Sequence, residues 1–295
     1  MTWKKSTPDL IFDIFNVILM TIFSLFFVYP LIYVIFASFS NPAEFVRHSG
    51  LLLRPLGFSL KGYRMVLKTP HILTGYLNTS FYVIAGVSIN MIMSCLGAYV
   101  LSRRQLYIRK VMTMGIVFTM YFSGGLIPFF LVVKGLGLYN SRLALLLPAA
   151  INTWNLIIIR TSFSQIPVSL EEAARIDGAN DFIILLRIIV PVAKATIAVM
   201  ILFYAVQHWN AWFNAMIFLQ ERNKYPLQLF LREILLYGSV NDINTLASGD
   251  EMMDTLTVNL IKYCTIVIST VPVLCIYPFL QKYFTKGVMI GSVKE

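Results

Sequence analysis

Apolar positions in this chain run in long unbroken stretches, without the alternation or single-face periodicity of a soluble domain, and short polar segments separate them. Six stretches approach or exceed the roughly 20 residues that a helix needs to cross a bilayer: residues 11–39, 76–101, 111–133, 143–159, 191–219 and 256–280. The fourth is short, and its ends are expected to reach Tyr139 and Thr161. Lys4 and Lys5 precede the first, but its apolar part far exceeds a signal peptide's roughly 7–15 residues, so it is expected to be a retained anchor. The pattern predicts an all-α polytopic membrane protein with six transmembrane helices. Ser123–Gly124–Gly125 with Pro128 in the third stretch, and Pro272 and Pro278 in the sixth, are expected to kink or interrupt helices.

The polar connections set orientation. Arg103, Arg104, Arg109 and Lys110 crowd the short loop after the second stretch, which is therefore expected on the cytoplasmic side. Six crossings then put both termini and residues 160–190 on that side. The overall count is a weak guide, 13 Lys and Arg there against 10 on the other, so the dense loop carries the assignment. Residues 40–75 are expected to form an ordered loop with a short helix near residues 60–67, and residues 220–255 contain an amphipathic run at 227–237.

One polar island stands out, residues 169–181, Ser-Leu-Glu-Glu-Ala-Ala-Arg-Ile-Asp-Gly-Ala-Asn-Asp. Ser169 as N-cap with Glu172 three positions on predicts a capping box, with Pro167 keeping the preceding turn open. Gly178 marks the end of a two-turn helix. Asn180 or Asp181 is positioned to cap a second helix, 182–190, running to Pro191. Such an elbow is a docking knob for a soluble partner: Ala173 and Ala174 allow close approach, and Glu171, Glu172 and Arg175 present charge.

Glu172-Ala173-Ala174, Gly178 four residues later, then Ile188 and Val190-Pro191, closely resembles the EAA loop of binding-protein-dependent ABC importer permeases, departing only in Val190 where that pattern has Leu. The similarity extends from about His71 through Gly124-Gly-Leu-Ile-Pro128, Leu138-Tyr-Asn-Ser141 and His208-Trp-Asn-Ala-Trp-Phe-Asn214 to the end of the last stretch. It is nearest to carbohydrate permeases, the smaller membrane subunit of maltose-type systems and the oligosaccharide and polysaccharide group. The resemblance implies a type I importer (MetI-like) fold, with a five-helix core preceded by one extra helix. The domains would be 1–70, a transmembrane domain at 71–287 containing coupling loop 160–190, and a tail at 288–295. It further implies a coupling helix between helices 4 and 5, with Glu171, Glu172, Ala173, Ala174, Arg175, Asp177 and Gly178 meeting a cytoplasmic ATPase. The implied partners are a second homologous permease, an ABC ATPase dimer and an extracytoplasmic sugar-binding protein. The receptor docks on the outer loops in that family, and residues 220–255 are expected either to reach it or to serve as a plain connection.

Polar residues within the apolar stretches are the other candidates for chemistry. On one continuous helix Gln207, Asn210 and Asn214 would fall within about 60° of each other, with His208 and Trp212 on another side. Gln207, Trp209, Asn210, Trp212 and Asn214 are accordingly candidates for a sugar path, amides for hydroxyls and indoles for ring faces. The competing reading is helix-to-helix bonding by the amides and interface anchoring by the tryptophans. Gly86, Asn90, Ser94 and Gly97 share a face that reads as helix packing, and Lys262 is expected to snorkel or pair within the bundle.

Composition agrees with this class: 58% hydrophobic and 13% charged residues, with a mean hydropathy of +0.73. The net charge of +10 points to anionic lipid and insertion topology, since the basic residues flank spans; no nucleic-acid partner is expected. Cys95, Cys264 and Cys275 lack disulfide or metal spacing, and His48, His71 and His208 are scattered. No phosphate-loop motif or catalytic motif occurs, so no cofactor is expected on this chain, and ATP and magnesium are expected on the partner ATPase. An importer permease for amino acids, peptides or polyamines would share the elbow, and an ion-coupled transporter acting alone remains a rival of another class.

Overall fold

The computed structural model describes residues 7–68, 70–103, 107–237 and 260–275, and every statement below concerns those residues. They divide into two compact units, Met1–Pro70 with Glu233–Thr270, and His71–Arg232 with Val271–Glu295.

The first unit is built on α1 (Thr7–Ser38), 32 residues long and apolar on every side. None of its most apolar 18-residue window is buried within the chain, the arrangement of a helix whose solvent is lipid or another subunit. Short helices α2 (Pro42–Arg47) and α3 (Lys61–Lys68) follow, the latter where a short helix is expected. Helix α15 (Leu260–Cys275) packs on both ends of this segment. Gly62 is the contact point: a Cβ there would lie 2.7 Å from the Cys264 sulfur, so any larger residue would have to displace that side chain. Ser38 bonds Tyr63 Oη at 2.7 Å, and Tyr33, Phe45 and Tyr263 form edge-to-face pairs. Pro272 lies inside α15, while Pro278 falls outside the described residues.

The second unit is organised along α4 (Pro70–Ser102), 33 residues and about 50 Å long at 1.5 Å per residue. It continues through α5 (Arg109–Tyr121), α6 (Leu126–Gly135), α7 (Leu143–Leu146), α8 (Thr153–Ser164), α9 (Val168–Ile176), α10 (Asp181–Ile184), α11 (Val190–Val192), α12 (Lys194–Trp209), α13 (Phe213–Phe218) and α14 (Leu227–Tyr237). α14 continues past Arg232, where the two units divide.

Three of the expected spans are not continuous helices; the interruption at Ser123–Gly124–Gly125 in the third matches expectation, and those within the fourth and fifth do not. Between α5 and α6 the chain turns by 115° at the Ser–Gly–Gly segment, where Gly125 has φ +87°, a conformation favoured in glycine. Pro128 sits in the first turn of α6, where its missing N–H leaves no bond unmade. Residues 143–159 are not one helix: α7 ends before Pro148, which cannot donate to the Ala144 carbonyl, and Asn152 starts α8 by accepting from Asn155 N at 3.1 Å. Residues 191–219 are also divided. The chain turns by 89° between Asp181–Val192 and α12, and α12 stops at Trp209.

Residues Leu185–Ile189 form a π-helical turn just before Pro191. Widening the turn moves the carbonyl that an α-helix would press against the proline ring, so the helix passes Pro191 and runs on to Val192. The core beneath this segment is Leu156, Ile159, Phe163, Ile184, Leu185, Ile189 and Met200, joined by Ala98, Tyr99 and Leu101 from the end of α4.

Candidate functional site

Helix α9 begins two residues earlier than the capping box requires. Pro167 precedes it, no side chain caps it, and Ser169 and Glu172 lie within it, so the expected reciprocal cap is absent. The proline already fixes the entry to the helix. The C-terminal features match expectation: Gly178 adopts φ +82°, Ala179 N returns to Ala174 O at 2.9 Å, and Asn180 Oδ1 accepts from Ile183 N at 2.9 Å to cap α10.

The charges of the elbow divide into two sets. Glu171, expected to present charge, is 4% exposed and forms an ion pair with Arg103 at the end of α4, so it faces inward. Ala174 is buried beside it. The Arg103 guanidinium lies 4.5 Å above the Tyr99 ring, and burial pushes its pKa down from the ordinary value. The Tyr99 hydroxyl donates to Asp181 Oδ1 at 3.1 Å, and Arg175 donates to the same oxygen at 2.6 Å. Arg160 Nε donates to Leu101 O at 3.2 Å. Elbow and α4 end are thus one polar cluster, with Glu171 and Asp181 each in a first helical turn where the dipole favours an anion. The opposite side of α9 is open. Glu172, Ala173, Arg175, Asp177 and Gly178 are exposed, and Ile176 is 87% exposed.

The expected amide stripe at 207–214 does not form on one helix. Asn210 is the C-cap of α12, Trp212 has φ −133°, and α13 starts at Phe213, so Asn214 lies on a different helix from Gln207. Gln207 and Asn210 are exposed, and Trp209, Trp212 and Asn214 are half-buried. Trp209 meets the Tyr76 ring edge to face at 6.0 Å. Trp212 lies under Arg232, whose guanidinium carbon is 3.9 Å from the ring centre.

The face of α4 bearing Gly86, Asn90, Ser94 and Gly97 packs as expected. A Cβ on Gly86 would collide with the His208 ring, and one on Gly97 would lie 3.2 Å from Leu156 Cδ1. Asn90 donates its amide to the Ala149 carbonyl, so its Oδ1 is left to accept from His208 Nε2 at 2.6 Å. Ser94 and Tyr204 share a hydroxyl bond of 2.7 Å, and the Tyr204 oxygen lies 3.4 Å from Asn152 N. These contacts satisfy the backbone freed where residues 143–159 break, the condition for irregular chain at membrane depth.

At the other end of α4, Asn140 adopts φ +57° and joins two connections. Its side chain donates to Glu221 Oε1 at 2.8 Å and accepts from Gln220 N at 3.1 Å, while its carbonyl accepts from Lys224 Nζ at 2.7 Å. Asn78 on α4 donates to Asn223 O and Tyr225 O and accepts from Arg142 Nη2 at 2.9 Å. Asn78 and Tyr99 are 21 residues apart, about 31 Å along the helix, close to the hydrocarbon thickness of a bilayer. The sequence reading missed Arg103 as a partner of Glu171, the Asn140 junction and Arg232. Arg103 had a signal, since it stands in the basic loop, but there it was informative only about orientation.

No protein-family profile matches the chain. The chain is 43% identical over 286 residues to the polygalacturonan/rhamnogalacturonan transport system permease protein YtcP of Bacillus subtilis, covering 96% of this chain and 98% of that protein. It is 39% identical over 294 residues to protein LplC of the same organism, covering 99% and 98%. Among solved structures it is similar to a chain of a bacterial ABC transporter involved in import of the acidic polysaccharide alginate. That match has 37% identity and a TM-score of 0.88, covering 96% of this chain and 100% of that one. Identity of this extent over nearly whole chains, joined to an all-helical structure with bilayer-length apolar helices, makes this a multi-pass membrane protein of the permease subunits of ABC sugar and polysaccharide import systems: a transporter component, not an enzyme.

Proposed function

We propose that this permease subunit serves an importer of acidic oligosaccharides or polysaccharides. It forms half of the translocation path beside a second homologous permease, with α9 seated on a cytoplasmic ABC ATPase dimer. ATP and magnesium are held by that dimer, and an extracytoplasmic sugar-binding protein docks on the face carrying the Asn140 junction. Six membrane crossings with both termini cytoplasmic place α9 and that junction on opposite sides of the bilayer. Receptor docking outside and closure of the ATPase pair inside then drive alternating access.

The observation carrying the coupling role is the two-sided character of α9. Glu171 and Ala174 fix one side to α4, while Glu172, Ala173 and an 87% exposed Ile176 face outward. An isoleucine so exposed beside charged and small residues suits a surface that another protein covers. The acidic substrate class draws on the relatives, one named for polygalacturonan and one described as importing alginate.

Asp177→Cys in membranes of intact cells tests the coupling role. The thiol should resist a membrane-impermeant reagent applied outside, react in inverted vesicles, and crosslink to the ATPase. Labelling from outside, or no ATPase crosslink in the assembled complex, would rule out the role.

A further inference from the structure

We propose that Arg232 is a carboxylate-binding residue for uronic acid units of the transported sugar, held in place by Trp212; this rests on the acidic-substrate reading above. Arg232 is half-buried, its guanidinium carbon 3.9 Å above the Trp212 ring, and its Nη1 meets Met216 Sδ at 2.7 Å. A thioether is a weak acceptor and an indole face neutralises no charge. Among the described residues, no carboxylate forms an ion pair with Arg232. Two cations near the same end of α4 are committed, Lys224 to Glu221 and Arg142 to Asn78.

Both parts of the pair are anchored. The start of α14 is pinned to α4, with Leu227 N donating to Thr79 Oγ1 at 2.8 Å and Phe230 stacked on His71 at 5.4 Å. Trp212 stands at the break between α12 and α13, within the segment where Asn210 is exposed. Of the five N–H groups of a guanidinium, one is directed at sulfur, and the remaining edge offers the planar fork that a carboxylate matches. The indole fixes that plane in advance, so little is lost in ordering it when the ligand arrives. Partial desolvation strengthens an incoming charge pair relative to a fully exposed arginine. A neutral sugar has no group that uses this charge; a uronate brings one on every unit.

The test uses the complete transporter with its partner permease, ATPase and receptor in proteoliposomes, the receptor saturated with trigalacturonate. Uptake by R232Q should fall roughly tenfold or more, the loss expected of one charge-assisted hydrogen-bonded pair. R232K should retain an intermediate rate, keeping charge without the fork. Isolation of each variant complex with all partners bound separates this effect from misassembly. If the unsubstituted transporter moves trigalacturonate and R232Q matches it, the subsite is overturned and the substrate reading stands. If the unsubstituted transporter cannot move trigalacturonate, the substrate reading fails and takes the subsite with it. A defect of R232Q seen only with anionic lipid, and absent in pure phosphatidylcholine, assigns the guanidinium to a headgroup and overturns the proposal.

Discussion

Arg103, just beyond the end of α4, and Glu171, in the first turn of α9, form a buried ion pair whose side chains are 19% and 5% exposed. A helix of nine residues has little stability of its own, so its position depends on tertiary anchors. This pair is such an anchor, and Tyr99, Asp181 and Arg175 extend it into a cluster spanning both sides of the elbow. The cluster therefore ties α9 to the end of α4, a helix long and apolar enough to cross a bilayer.

Removing one charge of the pair is expected to be worse than removing both. Glu171→Gln strands a buried guanidinium, and Arg103→Gln strands a buried carboxylate, each costing about 3–5 kcal/mol. Hydrogen exchange over 168–176 should quicken in either single variant, and sugar uptake per ATP hydrolysed should fall. The double variant Arg103→Leu with Glu171→Leu should recover protection of α9. Equal protection in the wild type and both single variants would refute the anchor.

The outward side of α9 makes a different demand. Glu172→Lys should abolish uptake while leaving membrane insertion and permease pairing intact, because Glu172 is exposed and contributes nothing to the buried cluster. Gly178→Val should do the same by another route. Nothing lies within 4 Å of a Cβ there, so the obstacle is φ +82° itself, which costs an L-residue about 1–2 kcal/mol and a β-branched one more. Uptake assayed in cells, with complex assembly followed by copurification, checks both; normal uptake by both variants would remove the coupling role.

Within the bundle, the His208–Asn90–Ala149 chain should behave as structure. Gly86→Val would drive two methyl groups into the His208 ring, and His208→Leu would leave the Asn90 carbonyl without its donor, costing about 1–3 kcal/mol. Both should lower the unfolding temperature of the detergent-solubilised complex. A transition unmoved by either would show that the contacts add no stability.

These residues also show which features a sequence reveals. Gly86, Asn90, Ser94 and Gly97 were legible because spacings of three and four residues keep side chains on one face of any α-helix. The amphipathic run at Leu227–Tyr237 and the turn at Gly178 were legible for the same local reason. Hydropathy, however, reports apolar environment and not helical continuity, so the divisions near Pro148 and Asn210 did not register. Placing Gln207, Asn210 and Asn214 on one stripe assumed a helix that stops at Trp209. Glu171 looked outward because its partner is 68 positions away and became its neighbour only through tertiary packing.

The Asn140 junction gives the stability a pH dependence of defined sign. Hydrogen bonds from Lys224 and then Asn140 hold the Glu221 carboxyl below its ordinary 4.5. A carboxyl with a depressed folded pKa stabilises the fold above its unfolded pKa, and the contribution disappears as pH falls through the folded value. The difference in unfolding temperature between the wild type and Glu221→Gln should therefore be constant near neutrality and shrink below about pH 4. Glu221 is exposed, so the effect should be small and weakened by salt. Asn140→Gly, which keeps the φ +57° turn accessible while deleting the amide, should reduce the same pH-dependent difference; Asn140→Ala should add a backbone cost that persists at every pH. A Glu221→Gln difference that grows on acidification would reverse the assigned sign and dismiss the junction as its source.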